Sequence, residues 1–239
     1  MLFIHETHAV IGPKELEFEA TVRDDYMPLL AGGDDARLLY FMHLSHGGGL
    51  AYRVTTVTAV KDGAAYGRLV ERFRSGDLRE WAAATDRLRH TVASKIIVPA
   101  PFSPVQDIDL STVPTDPKGE HELSLFMEDS AWPYEGKLDD YLEKAQKQYA
   151  PSLEEGRHFK GKSMLELQMV FQTAWGAAPK RREVILWQKV VDLDRIQPLI
   201  MTELTPEQRA PGTWMNDAFE VRDDWESRLL RTTKWSPWY

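Results

Sequence analysis

The sequence predicts an α+β protein made of two tandem ferredoxin-like units, each with the element order β-α-β-β-α-β, packed sheet to sheet as an α/β barrel-like sandwich. Three observations predict this fold. The hydrophobic pattern gives the same order of elements twice within 239 residues. A passage rich in Pro and Asp separates the two halves. The halves also align when one is slid along the other.

The first half contains six elements, whose types follow from hydrophobic period and from breaker residues. Gly12-Pro13 marks the start of the first helix, and Ser75-Gly76 interrupts the second. A glycine-rich run at 47–49 separates two strands. The predicted elements are a strand Leu2–Val10, a helix Lys14–Leu30, strands Arg37–Ser45 and Ala51–Val60, a helix Ala64–Ser94 and a strand Lys95–Pro99.

The second half repeats this order after a linker. The stretch "SPVQDIDLSTVPTDPKGEHE" has no apolar periodicity, so we expect residues 106–120 to link a first unit, 1–105, to a second, 121–239. The two units are expected to form one pseudo-twofold globular domain. The predicted elements are a strand Glu122–Asp129, a helix Lys137–Tyr149, strands Met164–Ala174 and Arg182–Val191, helical segments through Asp224, and a strand Arg228–Lys234.

Direct comparison of the halves indicates a tandem duplication. A shift of 133 residues aligns Trp81 with Trp214 and Arg89 with Arg222. Shifts of 133 and 123 also give the pairs Ser94 with Ser227, Ser103 with Ser236, Phe18 with Tyr141, and Tyr26 with Tyr149. Because these matches coincide with the repeated order of elements, we interpret the chain as a fused duplication.

Composition excludes several function classes. The net charge is −8 and no local cluster of Lys and Arg stands out, so nucleic acid is not an expected partner. No run approaches the roughly 18 apolar residues of a membrane span, and no secretory signal is recognisable, so we expect a cytoplasmic protein and no membrane partner. Zero cysteines leave His, carboxylate, hydroxyl, Lys and Arg as the groups available for chemistry.

The first strand, "LFIHETHAV", shows how the inner and outer faces are predicted. A single unit covers one face of its sheet with helices, so two units are expected to enclose a cavity between their other faces. Alternate residues of a strand share a face, which places His5 and Thr7 toward the cavity and Glu6 and His8 toward the helices. The two histidines therefore diverge, unlike those of a helical His-Glu-x-x-His metal motif.

Transfer of this alternation between the units predicts the remaining cavity residues. His5 and His43 are the candidate catalytic groups, because an imidazole can take or return a proton near neutral pH. His43 and Gln172 are expected at pseudo-symmetric positions. The segment "ESRLLR" is interpreted as a solvated edge. The predicted ligand-binding residues are Thr7, Phe41, Thr56, Phe126, Glu128, Gln168, Gln172 and Trp187.

Three stretches resemble a known family. They are "HETHAVIGPKELEFEATVRDDYMPLL", "DLREW…ASKIIVPAPFSPV" and "GTWMND…SRLLRTTKWSPW". Together they resemble the NIPSNAP family of the dimeric α/β barrel superfamily, most closely over residues 1–105. His8 stands where that family usually has an aromatic residue, and no functional residue is carried over. The resemblance implies relatives that include cofactor-free monooxygenases, small lyases and isomerases, haem-binding enzymes and proteins without assigned activity, and it implies a homodimer.

The sequence leaves several functions open. The leading hypothesis is a cofactor-independent oxygenase, lyase or isomerase, in which a cavity histidine transfers a proton on an apolar or aromatic small molecule. The alternatives are a ligand-binding or accessory protein without turnover, a haem protein with His5, His43 or His90 as axial ligand, and a purely structural protein. A metal held by His5, His43 and Glu128 is a further alternative, although no metal is predicted.

Overall fold

The strands of the computed structural model close into one antiparallel barrel in the order β1-β3-β2-β8-β5-β7-β6-β4. The structure describes residues 1–117, 119–154, 163–175, 182–195, 201 and 203–239. Each unit contributes four adjacent strands, which confirms the predicted α+β fold of two ferredoxin-like sheets. The strands are β1 Leu2–Val10, β2 Ala36–Leu44, β3 Arg53–Val60, β4 Arg89–Pro99, β5 Leu125–Trp132, β6 Leu165–Trp175, β7 Val184–Val190 and β8 Asp224–Thr232.

Helices cover the outside of each sheet. The first helix of each unit contains a π-helical turn, Thr21–Tyr26 in the first unit and Ala145–Tyr149 in the second. None of the described helices is long and apolar enough to cross a membrane. The helices are α1 Glu15–Ala20, α2 Met27–Ala31, α3 Gly63–Ser75, α4 Arg79–Thr85, α5 Leu138–Lys144, α6 Ala150–Glu154 and α7 Trp214–Asp217.

Equivalent side chains pack in the same way in both units. Tyr26 ends the first π-helical turn and stacks on Trp81, with ring centroids 4.2 Å apart. Tyr149 ends the second π-helical turn and contacts Trp214 at 5.3 Å. These are pairs that the shifts of 123 and 133 residues align, so the duplication is visible in the packing as well as in the sequence.

A β-bulge occurs at the same place in both units. In β2 the pairing register shifts between Leu38 and Tyr40, and in β6 it shifts between Leu167 and Met169. The two bulges lie 129 residues apart, which is the shift that relates these strands. An extra residue in a strand reverses which side chains face inward beyond it, so the bulges decide the inner face of both strands.

The linker forms part of the barrel core. Ile108, Leu110 and Val113 are buried in the same apolar cluster as Phe3 and other inward-facing barrel residues. Trp238, near the end of the chain, packs against this cluster, and its backbone N–H donates to the carbonyl of Leu39 at 2.9 Å. The linker and the C-terminal segment therefore fill one end of the barrel.

Two predicted helix boundaries are wrong. Residues 89–94 were expected in a helix but begin β4, where pairing with β1 satisfies their backbone groups. Tertiary pairing outweighs local propensity here. In the second unit, helical segments were expected through Asp224 and a strand from Arg228. Instead α7 ends at Asp217, and the strand β8 already begins at Asp224. The predicted helical segments at 196–200 and 202 lie outside the described residues.

Candidate active site in the barrel

Three ionisable side chains from three strands meet inside the barrel. His5 on β1 is 1% exposed, and Glu128 on β5 is fully buried. The His5 Nε2 atom lies 2.8 Å from Glu128 Oε2. The other carboxylate oxygen, Oε1, accepts a hydrogen bond from the guanidinium of Arg228 on β8. The result is a continuous chain from Arg228 through Glu128 to His5.

Glu128 is held in its ionised form. Burial by itself would raise the pKa of the Glu128 carboxyl, but the electrostatic interactions with His5 and Arg228 and the hydrogen bond from His5 outweigh burial and hold that pKa well below its usual range. An ionised carboxylate only accepts hydrogen bonds, so the proton between the two side chains belongs to His5 Nε2. Nδ1 is the other ring nitrogen of His5, and it makes no hydrogen bond to the described residues.

An aromatic cluster adjoins the imidazole through Trp187. The ring of Trp187 packs edge-on to His5, with centroids 6.0 Å apart. Tyr40 and Phe126 pack against Trp187 at 5.5 and 6.2 Å. Burial raises the pKa of Tyr40 well above its usual range, so its hydroxyl stays neutral. A neutral, flat or apolar molecule is the kind of ligand that such walls suit.

The inner-face residues beyond His5, on the side away from the linker, are more exposed than His5 itself. Thr7, next on the inner face of β1, is half-buried, and its partner Ala93 on β4 is exposed. The Arg228 side chain is 20% exposed. Lys95, paired with His5 across the strands, binds the buried carboxylate of Glu183 at 2.7 Å. This end of the barrel is polar and charged, whereas the opposite end is apolar and closed.

Five predicted site residues lie on the inner face. Phe126 and Trp187 belong to the apolar cluster of the barrel interior, and His5 and Glu128 are joined there. Thr7 follows His5 on the same face. Their chemical roles stay predictions.

His43 and Phe41 do not lie in the barrel. His43 contacts two carboxylates of α1, with Nδ1 at 3.2 Å from Glu15 and Nε2 at 3.0 Å from Glu19. Phe41 belongs to the apolar cluster beneath the helices of the first unit. The expectation that both face the cavity is wrong because the bulge between Leu38 and Tyr40 reverses the alternation that the sequence implied.

Thr56 and Gln172 also lie on the helix-covered face. Thr56 pairs with Glu6, and its hydroxyl lies 3.0 Å from His8 Nε2 beneath the helices. Gln172 follows Val170, which packs in the helix-covered cluster of the second unit. Gln168 is the extra residue of the bulge in β6 and is half-buried. The inner row of β3 is formed instead by alternate residues that include Val57 and Ala59.

His8 lies toward the helices, as predicted. Its ring contacts Phe18 at 5.1 Å, and Nδ1 is 2.8 Å from the guanidinium of Arg89. Burial and the Arg89 charge lower the pKa of His8 to about 3, so this imidazole is neutral. His5 and His8 therefore do not share a site.

Sequence reasoning missed Arg228, Lys95 and Ser130. Arg228 lies in the segment interpreted as a solvated edge, yet it pairs directly with Glu128 across β5 and β8. Ser130 is the next residue after Glu128 on the inner face of β5 and is buried. Alternation along β5 was the signal that could have found Ser130. No feature of the sequence predicted that Arg228 and Lys95 lie at the charged end of the barrel.

The alternative cofactor sites do not fit. The described residues contain no group of three or more His, Asp or Glu placed to hold a metal, and His43 lies on the opposite side of the sheet from His5 and Glu128. A haem iron needs a free imidazole nitrogen beside a wide apolar slot. Both ring nitrogens of His43 face carboxylates and His90 is exposed, while His5 keeps Nδ1 free but is buried with its ring against Trp187 rather than beside a wide slot.

Comparison with solved structures supports the fold. No family model and no curated protein matches the sequence. An anthrone oxidase-like protein covers 97% of this chain and 91% of its own, with 8% identity and a TM-score of 0.59. A Lactobacillus acidophilus protein provisionally assigned as a monooxygenase covers 98% of this chain and 96% of its own, with 6% identity and a TM-score of 0.56.

A NIPSNAP domain protein from Burkholderia xenovorans also matches. It covers 44% of this chain and all of its own, with 21% identity and a TM-score of 0.38. The full-length matches show that this chain has the fold of the dimeric α/β barrel proteins, with the two ferredoxin-like units joined in one polypeptide.

Proposed function

We propose that the protein is a small-molecule enzyme in which His5 transfers a proton inside the barrel, without a cofactor. The reaction is of the oxygenase, lyase or isomerase type, and the substrate is an apolar or aromatic metabolite. The observation that carries this proposal is the buried chain Arg228–Glu128–His5. The full-length likeness to an anthrone oxidase-like protein agrees with an enzyme but does not specify a reaction.

The chain prepares His5 to act as a base. Glu128 accepts the Nε2 proton, fixes the tautomer, and stabilises the imidazolium that forms when Nδ1 takes a proton. Among the described residues, the hydrogen bond to Glu128 is the one that His5 makes through its side chain. Nδ1 is therefore the nitrogen that a substrate can meet.

Arg228 completes this arrangement. Its guanidinium binds the carboxylate oxygen that His5 does not use, so the carboxylate is fixed at both ends. Without Arg228, the buried carboxylate of Glu128 would be easier to protonate. A protonated Glu128 would no longer favour the His5 tautomer that carries its proton on Nε2. Arg228 is thus a positioning residue that acts through Glu128.

His5 and His43 form a matched pair for testing the proposal. Both are buried histidines bound to glutamates, but His43 lies beneath α1, outside the barrel. We would incubate wild-type protein, His5→Gln and His43→Gln with a cytosolic metabolite extract and follow each metabolite by mass spectrometry. We expect a metabolite that wild type and His43→Gln convert at comparable rates, and that His5→Gln converts at least about 100-fold more slowly.

The opposite results have clear meanings. Equal conversion by folded His5→Gln protein would overturn the proposal. A metabolite that is retained tightly but recovered unchanged would favour the accessory or ligand-binding function. The homodimer and the cytoplasmic location stay predictions, and native mass spectrometry of the purified protein tests the first.

A further inference from the structure

Two polar atoms on the inner wall beside Glu128 have no partner among the described residues. They are Nε1 of Trp187 and Oγ of Ser130, whose residues are 1% and 2% exposed. A buried donor without a partner costs free energy, so such atoms in a barrel interior indicate a ligand that completes their hydrogen bonds. Both residues lie outside the Arg228–Glu128–His5 chain itself.

The strand register brings these two residues to the same part of the wall. Trp187 on β7 pairs with Glu128 on β5, and Ser130 pairs with Ile185 on β7. Trp187 and Ser130 are therefore diagonal neighbours on one face of the sheet. The Trp187 ring also contacts the imidazole of His5, with centroids 6.0 Å apart, so this part of the wall adjoins the proposed base.

The chemistry of the two groups limits what the ligand presents. An indole N–H only donates, so its partner must be an acceptor, and a serine hydroxyl can donate to the same kind of atom. The surrounding rings favour a flat or apolar body for the rest of the molecule. The complementary ligand is an aromatic or conjugated molecule with one oxygen acceptor, such as a ketone or a phenol.

We propose that Trp187 and Ser130 bind the oxygen of an enolisable ketone or a phenol while His5 removes the neighbouring proton. This proposal rests on the proposed function of His5. The C–H or O–H bond of the ligand breaks, its proton moves to His5 Nδ1, and its electron pair passes to the ligand oxygen. The resulting enolate or phenolate oxygen accepts hydrogen bonds from Trp187 Nε1 and Ser130 Oγ. The step needs no oxidant and no cofactor.

4-Nitrophenol is a suitable probe, because its phenolate has a visible absorption band that the neutral phenol lacks. We would titrate it into wild-type protein at a pH where the free phenol is mostly protonated. The bound form should show the phenolate band. In a ¹⁵N-labelled sample, one of the eight indole N–H signals, assigned to Trp187 by its loss in Trp187→Phe, should move downfield on binding.

Variants separate the donor role from a general effect on folding. We expect Trp187→Phe to weaken binding about ten- to hundredfold and Ser130→Ala to weaken it severalfold. Trp214→Phe is the matched control, because Trp214 is a buried tryptophan on α7 that packs in the helix-covered cluster of the second unit, and it should bind as wild type does. Ser130→Ala is a small change that keeps the test valid if Trp187→Phe unfolds.

The outcomes distinguish this proposal from the proposed function. Absence of saturable binding to wild type, or an unmoved Trp187 signal with unchanged affinity in both variants, would overturn the assignment of the oxygen site. If His5→Gln still slowed metabolite conversion in that case, proton transfer by His5 would be supported and oxygen binding by Trp187 and Ser130 would be rejected. Conversely, a bound neutral phenol with a shifted Trp187 signal would retain the oxygen-binding donors and contradict the proton transfer.

Discussion

Glu128 shows how a buried charge depends on its neighbours. The carboxylate is fully buried, and two cationic or polar partners from different strands satisfy its two oxygens. A paired buried charge is tolerated, whereas one that has lost a partner carries most of its desolvation cost. Removing one partner of Glu128 therefore tests directly whether the hydrogen bonds between Arg228, Glu128 and His5 exist in solution.

We expect Arg228→Met to lower the free energy of unfolding by about 3 kcal/mol, because Glu128 would keep its charge in the barrel with one partner fewer. Urea denaturation at neutral pH measures the change. Arg231→Met is the control, since Arg231 lies on the same strand but is exposed. Adding Glu128→Gln to Arg228→Met should recover part of the loss, and a failure to recover any would argue against the pair.

Asp129, the neighbour of Glu128, should make the stability of the protein depend on pH. It points toward the helices, where Gln188 donates to it at 3.0 Å, and burial raises its pKa to about 6 from an ordinary 3.8. The unfolded chain releases this proton at lower pH than the folded chain does. Stability should therefore fall as the pH rises from about 4 to 6, by an amount on the order of 3 kcal/mol for this group.

Asp129→Asn should remove that fall and leave the protein more stable than wild type at pH 7. Denaturation curves recorded between pH 4 and 7 measure the difference between the two proteins. Asp140→Asn, at an exposed site on α5, is the control and should follow wild type. Identical pH profiles for wild type and Asp129→Asn would contradict the raised pKa.

The bulges in β2 and β6 decide which side chains of these strands face the barrel interior. One extra residue at Leu39 moves His43 from the predicted cavity to the underside of α1. There His43 ties the strand to the helix through Glu15 and Glu19, and Trp235 donates to Glu19 at 2.8 Å. The role of His43 at this level is to fasten α1 to the barrel.

We expect His43→Ala to loosen α1 and to cost about 2 kcal/mol of stability, because two carboxylates lose a shared partner. Amide hydrogen exchange of residues 15–20 should accelerate more than that of the other helices. His90→Ala, at an exposed position on β4, should change neither quantity. Unchanged exchange in α1 would contradict the fastening role.

At the scale of the whole molecule, closure of the barrel joins the two halves. The outer strands of the first unit, β2 and β4, pair with the outer strands of the second, β8 and β6. Neither sheet is therefore left with a free edge strand at these junctions. The linker adds a third connection, because its apolar residues fill one end of the barrel. A segment that looked like a simple connection in sequence is thus part of the core.

Leu110→Ala should lower the free energy of unfolding by roughly 2–3 kcal/mol, as expected for a cavity in a core. A single cooperative transition should persist, since neither sheet is complete alone. Leu123→Ala is the control from the same stretch of chain, because Leu123 is 42% exposed, and it should cost less than about 0.5 kcal/mol. Equal effects of the two substitutions would show that the linker does not belong to the core.

The architecture could be predicted from local sequence patterns. Hydrophobic period and breaker residues predicted the order of the elements, and the internal repeat predicted the pairing of two units into one barrel. Simple alternation also placed His5 and Thr7 inward on β1, because no bulge interrupts the strand between Leu2 and Ala9.

The composition of the candidate site depends on how the strands pair and pack. The bulges reversed the faces of His43, Phe41 and Gln172, and a bulge leaves no distinctive mark in the hydrophobic pattern of a single sequence. The Arg228–Glu128–His5 chain joins residues that lie 100 and 123 positions apart in the sequence. Strand register and barrel closure set that contact, and both depend on how the two units pack rather than on any local preference of the chain.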